Sequence, residues 1–159
     1  MSRCICETLR KWPVVANGTF RETTHIQTIQ SSNNNNVIQL PKNTYIQIPN
    51  YLRHRDEKVW KNPNFFNPYR KFTNEEYENV LNLSIKTPES YRFSPFSHNN
   101  RSCIGKLFAQ IEMRLILLYI LKDYTFIQTN YNEKIKPTNI GTLAPFNLYI
   151  SILNINSKL

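Results

Sequence analysis

A chain of 159 residues, 40% hydrophobic and 13% aromatic, is long enough to bury one core and too apolar for global disorder. Its formal charge of +9 suggests nucleic acid first, but the 20 Lys and Arg residues form no run of five or six and accompany no nucleic-acid motif, so nucleic acid is not expected as a partner. Three cysteines, an odd and sparse set, argue against a disulfide framework and for a reducing compartment.

The start, MSRCICETLR, lacks the long apolar core of a signal peptide. Residues 3–12 read as a helix that breaks at Pro13. A chain that begins inside an element predicts that an upstream portion is missing. Cys4 and Cys6, two apart on that helix, point in different directions, make a poor metal clamp and are read as packing residues. Residues 20–30 (FRETTHIQTIQ) are expected to be extended, followed by a surface loop at SSNNNN (31–36). VIQLPKNTYIQIP (37–49) alternates apolar and polar residues around Pro41-Lys42-Asn43, so that strand, loop, strand, turn and strand make a small antiparallel meander. Residues 50–72 read as an irregular, ordered stretch packed by Trp60, Phe65 and Phe66, with His54 bonding backbone. Residues 74–83 form either a short helix capped by Asn74 or a variable insertion. From Gly105 to about Leu121 the spacing predicts a helix, with Ile104, Leu107, Phe108, Ile111, Leu115 and Leu118 on one apolar face. Its most apolar run, LILLYIL at 115–121, is too short to span a bilayer. Residues 124–155 return to extended pieces with a turn near Leu143-Ala144-Pro145.

The chemistry concentrates in FSPFSHNNRSCIG, residues 93–105. Cys103 stands just before a helix N-terminus, whose exposed N–H groups and partial positive charge stabilise a thiolate. A nucleophile would want a general base, and nothing marks His98 as one. Zinc would want companion ligands, and His25, His54 and His98 form no cluster in sequence. A single thiolate fits an axial ligand of haem iron, where the macrocycle supplies the other donors. Arg101 then suits a haem propionate, and Gly105, without a Cβ, lets a flat ring approach closely.

The order Phe96, Ser97, x, Asn99, x, Arg101, x, Cys103, Ile104, Gly105 resembles the haem-binding loop of the cytochrome P-450 superfamily of haem-thiolate monooxygenases, and KLFAQIEMR (106–114) resembles the helix after it. Asn99 stands where the family has Gly or sometimes Asp, at a sharp bend that Asn tolerates in a left-handed conformation. Glu7-Thr-Leu-Arg10 matches the family's Glu-x-x-Arg, whose side chains share a helix face. HRDEKVWKNPNFFNPYRKF (54–72) matches its aromatic meander, with Pro68-Tyr69-Arg70 as the Pro-x-Arg element, Tyr69 replacing an acid and Phe72 one residue later than usual.

The resemblance implies an α+β chain that is the C-terminal portion of the mostly-α cytochrome P-450 fold, with residues 1–159 as its haem-binding portion. It implies haem b on Cys103, propionate contacts from Arg101 and from Arg21 on the first strand, haem-loop roles for Phe96 and Gly105, and a buried charge network of Glu7, Arg10 and Arg70 that locks the meander. VVANG (14–18) and TLAPF (142–146) fall where relatives line the substrate pocket. The implied activity is insertion of one oxygen atom of O2 into a small lipophilic substrate. Electrons would come from a flavin reductase or ferredoxin docking on a basic face near Lys106 and Arg114. A complete member is much longer, and its distal helix would lie before residue 1. The alternative is a non-catalytic haem-binding fragment or degenerate remnant.

Overall fold

The computed structural model describes residues 1–30, 36–81, 91–129 and 136–155. Most of the Asn-rich loop and residues 82–83 of the expected short helix lie outside the described residues.

Helix α1 (Ser2–Lys11) buries Ile5, Cys6, Glu7, Leu9 and Arg10, and its basic last turn complements the helix dipole. It ends at Trp12, where the following Pro13 disfavours helical backbone. Cys6 is a packing residue, and burial pushes its thiol up to about 12. Cys4, on the other side of α1, is exposed, contrary to the packing role expected of it.

Strands β1 (Thr19–Glu22), β2 (Gln27–Gln30), β3 (Val37–Leu40) and β4 (Tyr45–Ile48) pair β1 with β4 and β2 with β3, all antiparallel. The expected three-strand meander is thus one nested, two-armed ribbon. The physical reason is Thr23. Its N–H donates to Thr44 O (3.1 Å), its carbonyl accepts from Asn43 N (2.8 Å) and its hydroxyl donates to Pro41 O (2.6 Å). These bonds hold the arms together, so residues 41–44 kink the second arm and do not reverse it. Asn43, at φ 64°, takes the bend.

Gly18 fixes where the ribbon begins. It sits at φ 70°, and a Cβ there would lie 1.8 Å from Ile48 O, the backbone of the opposite arm. Gly18→Ala is therefore expected to destabilise the chain by more than about 2 kcal/mol, measured as a lower urea midpoint. An unchanged midpoint would show that this end of the ribbon relaxes freely.

A short helix α2 (Asn50–Arg53) leads into the meander, and α3 (Asn74–Leu81) follows it. Thr73, one residue ahead of the expected Asn74, caps α3. Glu76 N–H donates to Thr73 Oγ1 (3.2 Å), and Thr73 N–H to Glu76 Oε2 (2.8 Å), a reciprocal capping box. After a 3-10 turn (Asn99–Arg101) comes α4 (Lys106–Asp123). Strands β5 (Tyr124–Gln128), β6 (Lys136–Ile140), β7 (Thr142–Phe146) and β8 (Ile150–Asn154) repeat the nested pattern, β5 with β8 and β6 with β7. The reversal falls at Gly141 (φ 80°), not at Leu143–Pro145, which lies inside β7. Pro145 faces Pro137, a ladder position where neither residue has an N–H to donate.

The core joins Ile5, Cys6 and Leu9 of α1 to Trp60, Phe72, Val80 and Phe93. The rings of Phe72 and Phe93 lie 4.9 Å apart, and Trp60 meets Phe72 at 5.5 Å. Phe65, expected to pack the meander, is exposed, and Phe66 is half-buried against Trp12 at 5.8 Å. The side of α4 turned to the core carries Lys106, Gln110, Met113 and Leu117. The apolar face read from the spacing (Ile104, Leu107, Phe108, Ile111, Leu115, Leu118) is exposed. This helix is apolar nearly all round, so periodicity does not choose which side meets the core. Among the described residues no helix is long and apolar enough to cross a membrane.

Candidate functional site

Two constellations form around the core. The first centres on Glu7, which is fully buried. Arg10, one turn along α1, donates from Nε to Glu7 Oε2 (2.8 Å) and from Nη2 to Oε1 (2.9 Å). Arg70 donates from Nε to both carboxylate oxygens at 3.1 Å, and Asn67 N–H adds a bond at 3.0 Å. The guanidiniums then reach outward to meander carbonyls. Arg10 bonds His54 O (2.7 Å) and Pro63 O (2.8 Å); Arg70 bonds Lys61 O (2.6 Å) and Asn62 O and Phe65 O (both 3.1 Å). Burial by itself would raise the Glu7 carboxyl, but the bonds from Arg10, Asn67 and Arg70 outweigh it and hold the pKa below the usual value. The meander therefore takes its shape from two arginines anchored on one carboxylate.

His54 is buried in the same region, and its Nε2 accepts from Ser94 N–H at 3.2 Å. Burial, with the charges of Arg53 and Arg10, lowers its pKa to about 3, so the ring is neutral. Sequence reasoning missed a second pair. Arg92 donates to both oxygens of buried Glu76 (2.6 and 2.9 Å) and lies 4.3 Å from the Trp60 ring. The Thr-x-x-Glu signal at 73–76 marks Glu76, but nothing in the sequence announces Arg92. Tyr69, where relatives carry an acid, is exposed, with Arg3 5.7 Å from its ring.

The second constellation is the loop 93–105. Cys103 N–H donates to Phe96 O (2.8 Å), and Cys103 O accepts from Lys106 N–H (3.2 Å) as α4 begins. This places an exposed Cys103 directly ahead of α4, while Phe96 packs against the core. A Cβ on Gly105 would only touch the Cys103 sulfur at 3.9 Å, so the protein itself leaves room there for a side chain. The left-handed residue of the loop is Ser97, at φ 63°, and Asn99 instead opens the 3-10 turn, whose backbone is right-handed. Ser97→Gly should therefore stabilise the chain by about 0.5–1 kcal/mol, the left-handed cost less the added unfolded-state freedom of Gly, read as a raised melting temperature. A lowered one would show that the Ser97 side chain matters more than its backbone.

A cleft of about 490 Å³ opens beside this loop, lined by Thr19, Ile48, Tyr91 and a polar set that includes Arg21, Arg53, His98 and Arg101. Arg21 from β1 and Arg101 from the 3-10 turn, far apart in sequence, thus share one cavity. Among the described residues no Asp or Glu lines it. Arg53 Nε and both ring nitrogens of His98 are buried without a hydrogen-bond partner. Guanidiniums, an imidazole and no carboxylate suit an anionic group, and the exposed thiol at the end of the same loop suits a metal. These residues therefore fit haem, which carries two carboxylates and an iron.

Lys106, expected on a basic docking face, is buried on the core side of the first turn of α4, and burial lowers its pKa; Arg114 is half-buried, with an N–H toward Val80 O at 3.4 Å. The segments 14–18 and 142–146 do meet. Leu143 N–H donates to Val14 O (2.7 Å), next to an apolar cavity of about 420 Å³ lined by Trp12, Val14, Leu143, Ala144, Pro145 and Leu148 among others.

A family model described as Cytochrome P450 matches residues 1–150. The chain is 35% identical over 109 residues to probable cytochrome P450 525A1 of Dictyostelium discoideum, covering 68% of this chain and 16% of that protein. It is 32% identical over 111 residues to cytochrome P450 3A27 of Oncorhynchus mykiss, covering 69% of this chain and 20% of the relative. The crystal structure of a cytochrome P450, CYP102L1, aligns with a TM-score of 0.74 and 29% identity over 97% of this chain and 31% of its own. Retinoic acid-bound cyanobacterial CYP120A1 aligns with a TM-score of 0.73 at 23% identity, a likeness of fold alone. The chain thus spans 16–20% of these curated relatives and 31% of the first solved structure. With the family model matching nearly its whole length, and with two relatives above 30% identity across two-thirds of it, this chain belongs to the cytochrome P450 family.

Proposed function

We propose that the chain is the haem-binding portion of a haem-thiolate monooxygenase. The observation that carries this reading is the meeting of Arg21 and Arg101 in one cleft, free of Asp and Glu among the described residues, beside the loop that carries exposed Cys103. In this reading Cys103 would supply the thiolate ligand to the iron, Arg101 and Arg21 would bind the propionates, and Gly105 would leave the sulfur side open to a flat ring. Phe96 anchors the loop to the core and fixes Cys103 through its carbonyl. Glu7, Arg10 and Arg70 act at one remove: they hold the meander, whose Trp60 packs against Phe93 at the start of the loop. Haem bound in this way supplies an iron whose thiolate ligand favours O–O bond cleavage.

The substrate is a small lipophilic molecule, a choice supported by the apolar cavity where segments 14–18 and 142–146 meet. The electron donor is a flavin reductase or a ferredoxin, in a reducing compartment. The exposed apolar face of α4 favours a second, narrower reading of the isolated chain, in which it binds haem without turnover. In a fold of the relatives' full length, the remaining segments cover that face and close the other side of the haem.

The test is a carbon-monoxide difference spectrum of the chain, reduced after addition of haem. A red-shifted Soret band is expected. No band would overturn the haem reading, and substrate-dependent oxygenation by the chain alone would overturn the narrower one.

A further inference from the structure

We propose that Arg53 and His98 are further holders of the haem carboxylates, completing the anion cleft that Arg21 and Arg101 open; this rests on the haem reading above. Arg53 lies outside the Cys-loop, Glu-x-x-Arg and Pro-x-Arg motifs, and His98 fills a position within the Cys-loop that its motif leaves open. Arg53 is braced from several directions. It donates to Tyr91 O (2.6 Å), Asn50 Oδ1 (2.6 Å) and the Ser94 hydroxyl, which fixes the guanidinium plane. Its Nε–H stays buried without a partner. His98 stacks on Tyr91 at 4.9 Å between ring centroids, and both of its ring nitrogens are buried and unbonded. A neutral imidazole still carries one N–H to donate.

Buried donors without acceptors are rare in native proteins, and each costs free energy until an acceptor arrives. Here Arg53 and His98, the residues that carry these donors, line one cavity with Arg21 and Arg101, and among the described residues no Asp or Glu lines it. A ligand bearing two carboxylates supplies the missing acceptors. Burial and the Arg53 charge keep His98 below its ordinary pKa, so its contribution is a hydrogen bond from a neutral ring.

The test is a Soret titration of the full chain with haem and, separately, with haem dimethyl ester, in which both carboxylates are blocked. His98→Leu should weaken haem binding about tenfold and leave the ester unchanged, the size expected for one hydrogen bond to a charged acceptor. His98→Gln, which keeps an N–H donor, should restore most of the loss. Arg53→Gln is read by the ratio of haem to ester affinity, because a loosened loop would weaken both alike. Unchanged ratios in the His98→Leu and Arg53→Gln variants, with haem binding intact in the wild type, would overturn this assignment and leave the haem reading standing. Failure of the wild type to bind either porphyrin would overturn both.

Discussion

Replacing Glu7 with Gln is expected to cost the chain about 3–5 kcal/mol of stability, because it leaves two buried guanidiniums facing a neutral amide. The substitution preserves shape and removes charge. The acceptor that Arg10 and Arg70 share becomes a group that must turn its own N–H donors toward one of them. The carbonyls at residues 54 and 61–65 are shaped through those same arginines, so the loss spreads along the meander. Urea denaturation at neutral pH measures it. Acidity provides an independent reading. The folded pKa of Glu7 lies below its ordinary value of 4.5, so its contribution is complete above that value and is lost as the pH falls through the folded one. The Glu7→Gln variant should lose this part of the acid dependence. A variant as stable as the wild type and equally acid-sensitive would show that the network does not hold the meander.

Replacing Cys103 with Ser is expected to abolish the red-shifted Soret band of the reduced carbon-monoxide complex altogether, since a serine hydroxyl does not ionise at neutral pH. The fold should be untouched, because Cys103 is exposed and its bond to Phe96 O comes from the backbone. The other two cysteines serve as controls. Cys6 is buried, with its thiol held protonated, and Cys4 lies exposed on the first helix, so Cys4→Ser should leave the band in place. A band that survives Cys103→Ser would overturn its role as ligand.

The elements that sequence reasoning located best are those with short-range causes. The first helix stops where Pro13 stops it, and the long helix follows from a spacing that repeats over several turns. The Glu-x-x-Arg spacing places Glu7 and Arg10 on one helix face, and their contact needs no tertiary information. Arg70 joins them across the fold, and only its place in a known motif hinted at that. What was not legible depends on partners. Thr23 alone turns an apparent meander into a nested ribbon, through bonds to residues 41–44 that no periodicity records. The spacing gave α4 an apolar face, but which side meets the core was not legible, because apolar residues lie on both sides. Arg53 and His98 are ordinary polar residues in sequence, and they gain meaning only when the fold sets them in one cavity with Arg21 and Arg101.

The separation between Glu7 and Arg70 has a consequence for the order in which the chain acquires its shape. They stand 63 residues apart, and Arg10 reaches carbonyls 44 and 53 residues downstream. At ribosomal speeds Glu7 therefore waits roughly 3–13 s before Arg70 is even synthesised. Through that interval the partner at hand is Arg10, one turn along the same helix. Closure of the network requires the whole hairpin ribbon, which lies between these residues, to have been made first. Variants that weaken it should accordingly speed unfolding more than they slow folding.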